Sequence, residues 1–288
     1  MDFVFRRSYQ DALRVVILDW AGTTMDYGCF APTVVFMEVF RRKGVDITIE
    51  QAREPMGAHK KVHIGQIVSN EQVARNWEQV HQRKPDGNDV EEMFRDFVPL
   101  QLKCLADYAD LIPGTLETVK EFRRRGLKVG STTGYTGEMM VLLQDEAAKR
   151  GYVPDSTVCA TQVPAGRPHP WMCLQNAMNL EAYPLEALVK VGDTGADIAE
   201  GLNAGMWTIG VTRTGNEVGL SADEWQHCPE PERAARLASA RQSLLAAGAH
   251  YTAGSVAECG EILEEIETRL ERGDGPWSAP TVDVTANA

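Results

Sequence analysis

An aspartate closes the apolar run Val15-Val16-Ile17-Leu18-Asp19, followed by Trp20-Ala21-Gly22-Thr23-Thr24. Val15 to Leu18 reads as a buried parallel strand, because strands covered on both faces are continuous apolar runs. Asp19 then falls at the carboxyl end, where open α/β sheets bind ligands. A carboxylate there can be a nucleophile, a metal ligand or both; it can also simply end a strand. Two later segments tip the balance. Leu127-Lys128-Val129-Gly130-Ser131-Thr132-Thr133-Gly134 is a short strand ending in hydroxyls. Leu188-Val189-Lys190-Val191-Gly192-Asp193-Thr194-Gly195-Ala196-Asp197 is a strand ending in an acidic loop. Arg167 lies between them. Asp19 and Asp193 could hold Mg²⁺, which prefers oxygen ligands and leaves room for a phosphate. Thr133 and Arg167 could bind phosphoryl oxygens.

This ordered set resembles the haloacid dehalogenase superfamily of phosphoryl-transfer enzymes. Most phosphatases of that group carry Asp-x-Asp, whose second Asp protonates the leaving oxygen; here Ala21 stands in its place. The segment Pro55-Met56-Gly57-Ala58-His59-Lys60-Lys61-Val62-His63, together with residues 19–32, is similar to the phosphonoacetaldehyde hydrolase (phosphonatase) family. Residues 131–135, 166–172 and 192–197 follow in family order. The resemblance spans roughly residues 12–260.

The resemblance implies cleavage of a carbon–phosphorus bond next to an aldehyde, in 2-aminoethylphosphonate degradation. A carbanion leaving group cannot be rescued by a simple acid. A lysine that condenses with the aldehyde gives an imine that accepts the electrons. Lys60 is the family position. It is spaced to share a helix face with Met56 and His63, whereas Lys61 is turned by roughly 100°. His63 is expected to shuttle protons, and Met56 and Tyr135 to line the aldehyde end. Asp19 is expected to attack phosphorus, giving an aspartyl phosphate. Mg²⁺ is expected on Asp19, the Ala21 carbonyl and Asp193, with Asp197 either holding a metal-bound water or capping a helix. Gly22 lets the backbone approach the phosphoryl group. Thr133 and Arg167 hold the phosphonate. The resemblance also implies a homodimer. Two rivals stand beside this reading. One is a phosphate monoester phosphatase or phosphomutase of the same superfamily. The other is a non-catalytic phosphate- or metal-binding regulator.

These residues need a scaffold. The 288 residues are 43% hydrophobic, enough for one large domain or two smaller ones. Strand-like runs at 127–131, 156–160, 188–192 and 207–211 alternate with helical patterns, which predicts a doubly wound parallel sheet. His250-Tyr251 starts a last short strand, before a helix over 255–271. Residues 27–106 hold no buried strand. Helical patterns cover Pro32 to Lys43, Asn70 to Arg83 and Asp89 to Leu105, and Thr48 and Gln51 form a capping box. Thr115 is expected to cap the helix that follows. The expected division is therefore a core of 1–26 and 107–271, a helical cap of 27–106 and a flexible tail of 272–288.

A net charge of −12 argues against nucleic acid or an anionic membrane as partner, but not against a small anionic phosphonate. Arg123-Arg124-Arg125 suits a solvated helix end. The six cysteines form no CxxC pair. Met1 to Arg14 has no secretory apolar core, and no run approaches the ~20 apolar residues of a membrane span. A cytoplasmic protein with reduced thiols is expected, and Cys29 is expected to pack as a small hydrophobe.

Overall fold

The computed structural model describes residues 8–278. Six strands among them form one sheet: β1 (Val15–Leu18), β2 (Lys128–Thr133), β3 (Ser156–Cys159), β4 (Leu188–Gly192), β5 (Trp207–Val211) and β6 (Tyr251–Ala253). They lie in the order β3-β2-β1-β4-β5-β6, and every pairing is parallel. All four β1 side chains are fully buried, each contributing about 1.5–3 kcal/mol. Strand order reverses at β1, so this is where a doubly wound sheet opens a crevice for ligands. Leu18 is level with Ser131 on one side and Val191 on the other. One residue further on, Asp19, Thr132 and Gly192 share the rim.

Five helices lie between β1 and the rest of the sheet: α1 (Phe30–Arg42), α2 (Ile49–Arg53), α3 (Lys60–Ser69), α4 (Glu71–His81) and α5 (Gly87–Cys104). The Asp26 carboxylate accepts hydrogen bonds from the N–H groups of Phe30 and Ala31, both 2.9 Å, and so starts α1. The expected capping box at Thr48 and Gln51 is present on α2. Asp86, which lies between two of the helical patterns expected from sequence, caps α5 with Asp89 in a second box. Phe36, Phe97, Ile64 and Ile67 are buried between α1, α3 and α5. The chain enters and leaves this helical insert side by side. Asp26 donates its N–H to the Asp110 carbonyl at 3.2 Å, and Ile112 donates to Thr24 at 2.9 Å.

Among the described residues, seven further helices surround the sheet: α6 (Thr115–Arg124), α7 (Gly137–Lys149), α8 (Trp171–Asn179), α9 (Gly195–Asn203), α10 (Ala222–His227), α11 (Glu230–Ala246) and α12 (Cys259–Glu271). Thr115 does not cap α6. Gly114 holds that position with positive φ, and the Thr115 hydroxyl donates to the Thr24 carbonyl at 3.2 Å instead. The start of the expected tail is held in place: His250 Nε2 lies 2.6 Å from the Pro276 carbonyl, and Arg269 Nε 3.3 Å from Asp274. Residues 279–288, and the first seven, lie outside the described residues. Among the described residues, no helix is long and apolar enough to cross a membrane.

Candidate active site

The sheet's carboxyl rim and the insert enclose one small cavity. From the rim come Asp19, Ala21, Thr133, Tyr135, Arg167 and Asp193; from the insert and the segment that enters it come Cys29, Met56, Gly57 and Lys60. Eight of the eleven residues singled out from sequence therefore line one space. Gly22, His63 and Asp197 do not line it. Gly22 serves it from behind: at φ +78°, a Cβ there would fall 2.2 Å from Asp193 Oδ2. The loop after β1 can pass the second carboxylate only as glycine.

Asp19, Asp193 and Asp197 each offer a carboxylate oxygen within 4.8 Å of the others, and all three are buried. Burial pushes the Asp19 carboxyl above its ordinary range, against the pull of Arg167. Asp193 is pushed well above, first by burial and then by the charges of Asp19 and Asp197. Asn216 offsets part of this, donating its N–H to Asp193 Oδ2 at 2.7 Å. Crowded, dry carboxylates facing a cavity are the donor set of a hard divalent cation. Asp19 and Asp193 fit that role.

Asp197 fits it less directly. Its Oδ1 sits 2.8 Å from Lys190 Nζ and 3.0 Å from Arg167 Nη2. Burial alone would raise its pKa, but these two cations hold it below the usual carboxylate range. Its Oδ2 accepts from the Thr194 hydroxyl at 2.6 Å, and Thr194, not Asp197, is the N-cap of α9. Asp197 is the N3 partner in that capping box, so it shares in capping α9, and its other oxygen pairs with Lys190 and Arg167.

Arg167 is also more committed than expected. Nη2 donates to Asp19 Oδ1 at 2.5 Å and to Thr132 Oγ1 at 2.9 Å, while Nε donates to Glu200 at 3.0 Å. In this arrangement it orients the Asp19 carboxylate. Thr133 lines the cavity, and its hydroxyl accepts from the Tyr135 N–H at 3.2 Å.

Lys60 is 4% exposed. Its Nζ lies 4.7 Å from the Tyr135 ring centroid and 5.6 Å from that of Phe36. Burial brings its pKa down to about 8, although Cys29, Asp19 and Asp26 pull the other way. That shift removes roughly 3 kcal/mol of preference for the ammonium form. Lys61 behaves as expected for a solvated charge, pairing with Glu91 at the surface. Cys29 is a buried thiol, pushed well up by burial.

One expectation about this segment needs correction, and another gains a constraint. Met56 does not share a helix face with Lys60, because α3 starts only at Lys60, where His59 accepts from the Lys61 N–H. Gly57, at φ +89°, turns the chain first, and Met56 reaches the cavity from that turn. His63 is fully buried, stacked on Phe36 at 3.8 Å, with Nε2 held 2.9 Å from the Ala52 carbonyl. Burial and nearby Lys60 keep its pKa well below the ordinary value. It is a neutral ring away from the cavity wall, and its Nδ1 has no partner among the described residues.

Sequence reasoning missed Thr132, Lys190 and Glu200, which knit Arg167 to the sheet. Thr132 Oγ1 donates to Glu200 at 3.0 Å and accepts from Lys190 at 2.9 Å. A lysine inside the otherwise apolar strand Leu188–Gly192 was a usable signal, since unpaired lysine is almost never fully buried.

The sequence model of haloacid dehalogenase-like hydrolases matches residues 13–205. The chain is 48% identical to a phosphonoacetaldehyde hydrolase of Nitratidesulfovibrio vulgaris over 96% of this chain and 99% of that relative. It is 45% identical to one from Bacillus cereus over 88% and 97% of the two chains. The crystal structure of a phosphonoacetaldehyde hydrolase-like protein from Oleispira antarctica superposes with a TM-score of 0.93 at 39% identity, covering 96% of this chain and all of the other.

Proposed function

Because the chain belongs to the haloacid dehalogenase-like hydrolases and, within them, to the phosphonoacetaldehyde hydrolases, we propose that its cavity splits a carbon–phosphorus bond between Asp19 and Lys60. The reaction is hydrolysis of phosphonoacetaldehyde to acetaldehyde and phosphate. The observation that carries the residue assignment is the buried Lys60 amine in the same cavity as Asp19, with Ala21 where an acid would stand.

The neutral Lys60 amine adds to the aldehyde, and the resulting carbinolamine takes up a proton from solvent and loses water, leaving a protonated imine. Asp19 attacks phosphorus. The carbon–phosphorus electrons move into the imine, giving an enamine and an aspartyl phosphate. Water cleaves the aspartyl phosphate, releasing phosphate. The enamine takes a proton on carbon, and a second water returns acetaldehyde and free Lys60. Mg²⁺, held by Asp19, Asp193 and the Ala21 carbonyl, would offset charge on the phosphoryl oxygens. Arg167 keeps Asp19 aligned, and Thr133 faces the phosphonate. Met56 and Tyr135 keep water from the imine. A proton relay through His63 would run from Nδ1, since Nε2 is engaged by Ala52.

We read residues 27–106 as a cap that closes over a core of 1–26 and 107–271. Gly57 supports this: a Cβ there would meet Thr194 Oγ1 at 2.4 Å, so insert and core meet backbone to side chain above the cavity. The six free cysteines suit the reducing cytoplasm, and the family resemblance suggests a homodimer.

An ester phosphatase or phosphomutase would need an acid for its leaving oxygen, and Ala21 offers none. A regulator would need neither the nucleophile nor a buried amine. Phosphate release from phosphonoacetaldehyde, measured beside simple phosphate esters, tests the reading. Turnover of the phosphonate alone is expected; preference for the esters would overturn it.

A further inference from the structure

Arg53 ends α2 in the helical insert and is 8% exposed. Its Nη1 donates to the Gly28 carbonyl at 2.7 Å and lies 3.3 Å from Asn216 Oδ1 and 3.4 Å from the Asn216 carbonyl. Asn216 answers through its own amide, Nδ2 reaching the Arg53 carbonyl at 3.3 Å. This clasp joins the insert to the loop after β5. The same Asn216 donates its backbone N–H to Asp193 Oδ2 at 2.7 Å. One residue thus touches the insert with its side chain and a candidate metal-ligand carboxylate with its backbone.

The clasp is expensive as a mere fastener. Arg53 Nε and Nη2 are buried with no hydrogen-bond partner among the described residues. The Phe30 ring, 4.9 Å from the guanidinium carbon, covers one face. A half-satisfied buried cation costs more than an apolar side chain of similar volume. What an apolar residue could not do is fix Asn216, and through it Asp193, only when the insert is down.

We propose that Arg53 is a positioning residue that couples closure of the insert to the Asp193 carboxylate through Asn216. This rests on reading the insert as a cap and Asp193 as a metal ligand. Closure orients Asp193 for the cation. By reciprocity, the cation then favours closure by the same factor.

The test uses the full chain without substrate. Mg²⁺ binding is measured by calorimetry, and amide exchange of residues 49–63 is followed with and without Mg²⁺. In the wild type, Mg²⁺ is expected to slow exchange in that segment. Arg53→Met and Asn216→Ala should each remove the slowing and weaken Mg²⁺ binding about tenfold. The double variant should be no worse than either single one, as expected for one shared interaction. If Arg53→Met fails to fold by circular dichroism, Arg53→Lys replaces it, with a partial loss expected. Slowing and Mg²⁺ affinity within twofold of wild type in these variants would overturn the coupling and leave cap closure standing. No slowing in the wild type, even with Mg²⁺ and inorganic phosphate together, would remove cap closure and the coupling with it.

Discussion

Lys60 and Tyr135 meet across the boundary between insert and core, with the lysine Nζ 4.7 Å from the tyrosine ring centroid. The aromatic face favours an ammonium, and the nearby acids do so as well. Burial nevertheless dominates and leaves the amine with a pKa of about 8. A sizeable fraction of the amine is thus neutral close to neutral pH.

A pH dependence follows from that value. Imine formation needs the neutral amine, whose fraction falls about tenfold per pH unit below its pKa. The initial rate of imine trapping with acetaldehyde should rise with pH and level off above about 8. A rise that continues to pH 10 would mean that the reacting amine has an ordinary, solvated pKa.

Asp19→Asn should lower phosphate release by at least about a thousandfold, the scale for losing a covalent nucleophile. Because Lys60 is untouched, trapping with acetaldehyde should persist in the same variant. Phosphate release within about tenfold of wild type would remove Asp19 as nucleophile.

Chelation with EDTA should stop phosphate release, and added Mg²⁺ should restore it. Asp193→Asn should raise the Mg²⁺ concentration needed for half-maximal rate. Full activity in a metal-free preparation would contradict the cation's place at the carboxylates.

Gly57→Ala places a methyl 2.4 Å from Thr194 Oγ1, at a φ of +89°. It should lower kcat/KM by about a hundredfold, since small misplacements of a reacting group cost that much. Near wild-type kinetics would show that the insert need not approach Thr194.

The sheet was legible because its strands are short apolar runs ending in chemistry-bearing residues: Asp19, Thr133 and Asp193 each announce a carboxyl end. Lys60 was legible through its motif. The helix face invoked for Met56 failed because Gly57 turns the chain before α3 begins, a backbone choice that spacing alone does not show. Arg53 and Asn216 are 163 residues apart and meet only through tertiary packing. The ties of Lys190 and Glu200 to Arg167 likewise join separate elements. A charged residue in a buried strand signals a partner without naming it.

The central claim is that Lys60 forms the imine, and borohydride trapping tests it most directly. With phosphonoacetaldehyde or acetaldehyde present, reduction should leave a stable secondary amine. Peptide mass spectrometry should place the added two-carbon group on Lys60 and not on Lys61. Lys60→Arg, whose guanidinium stays protonated, should lose both trapping and turnover. Trapping on Lys61 alone, or phosphonoacetaldehyde turnover by Lys60→Arg near the wild-type rate, would contradict the account.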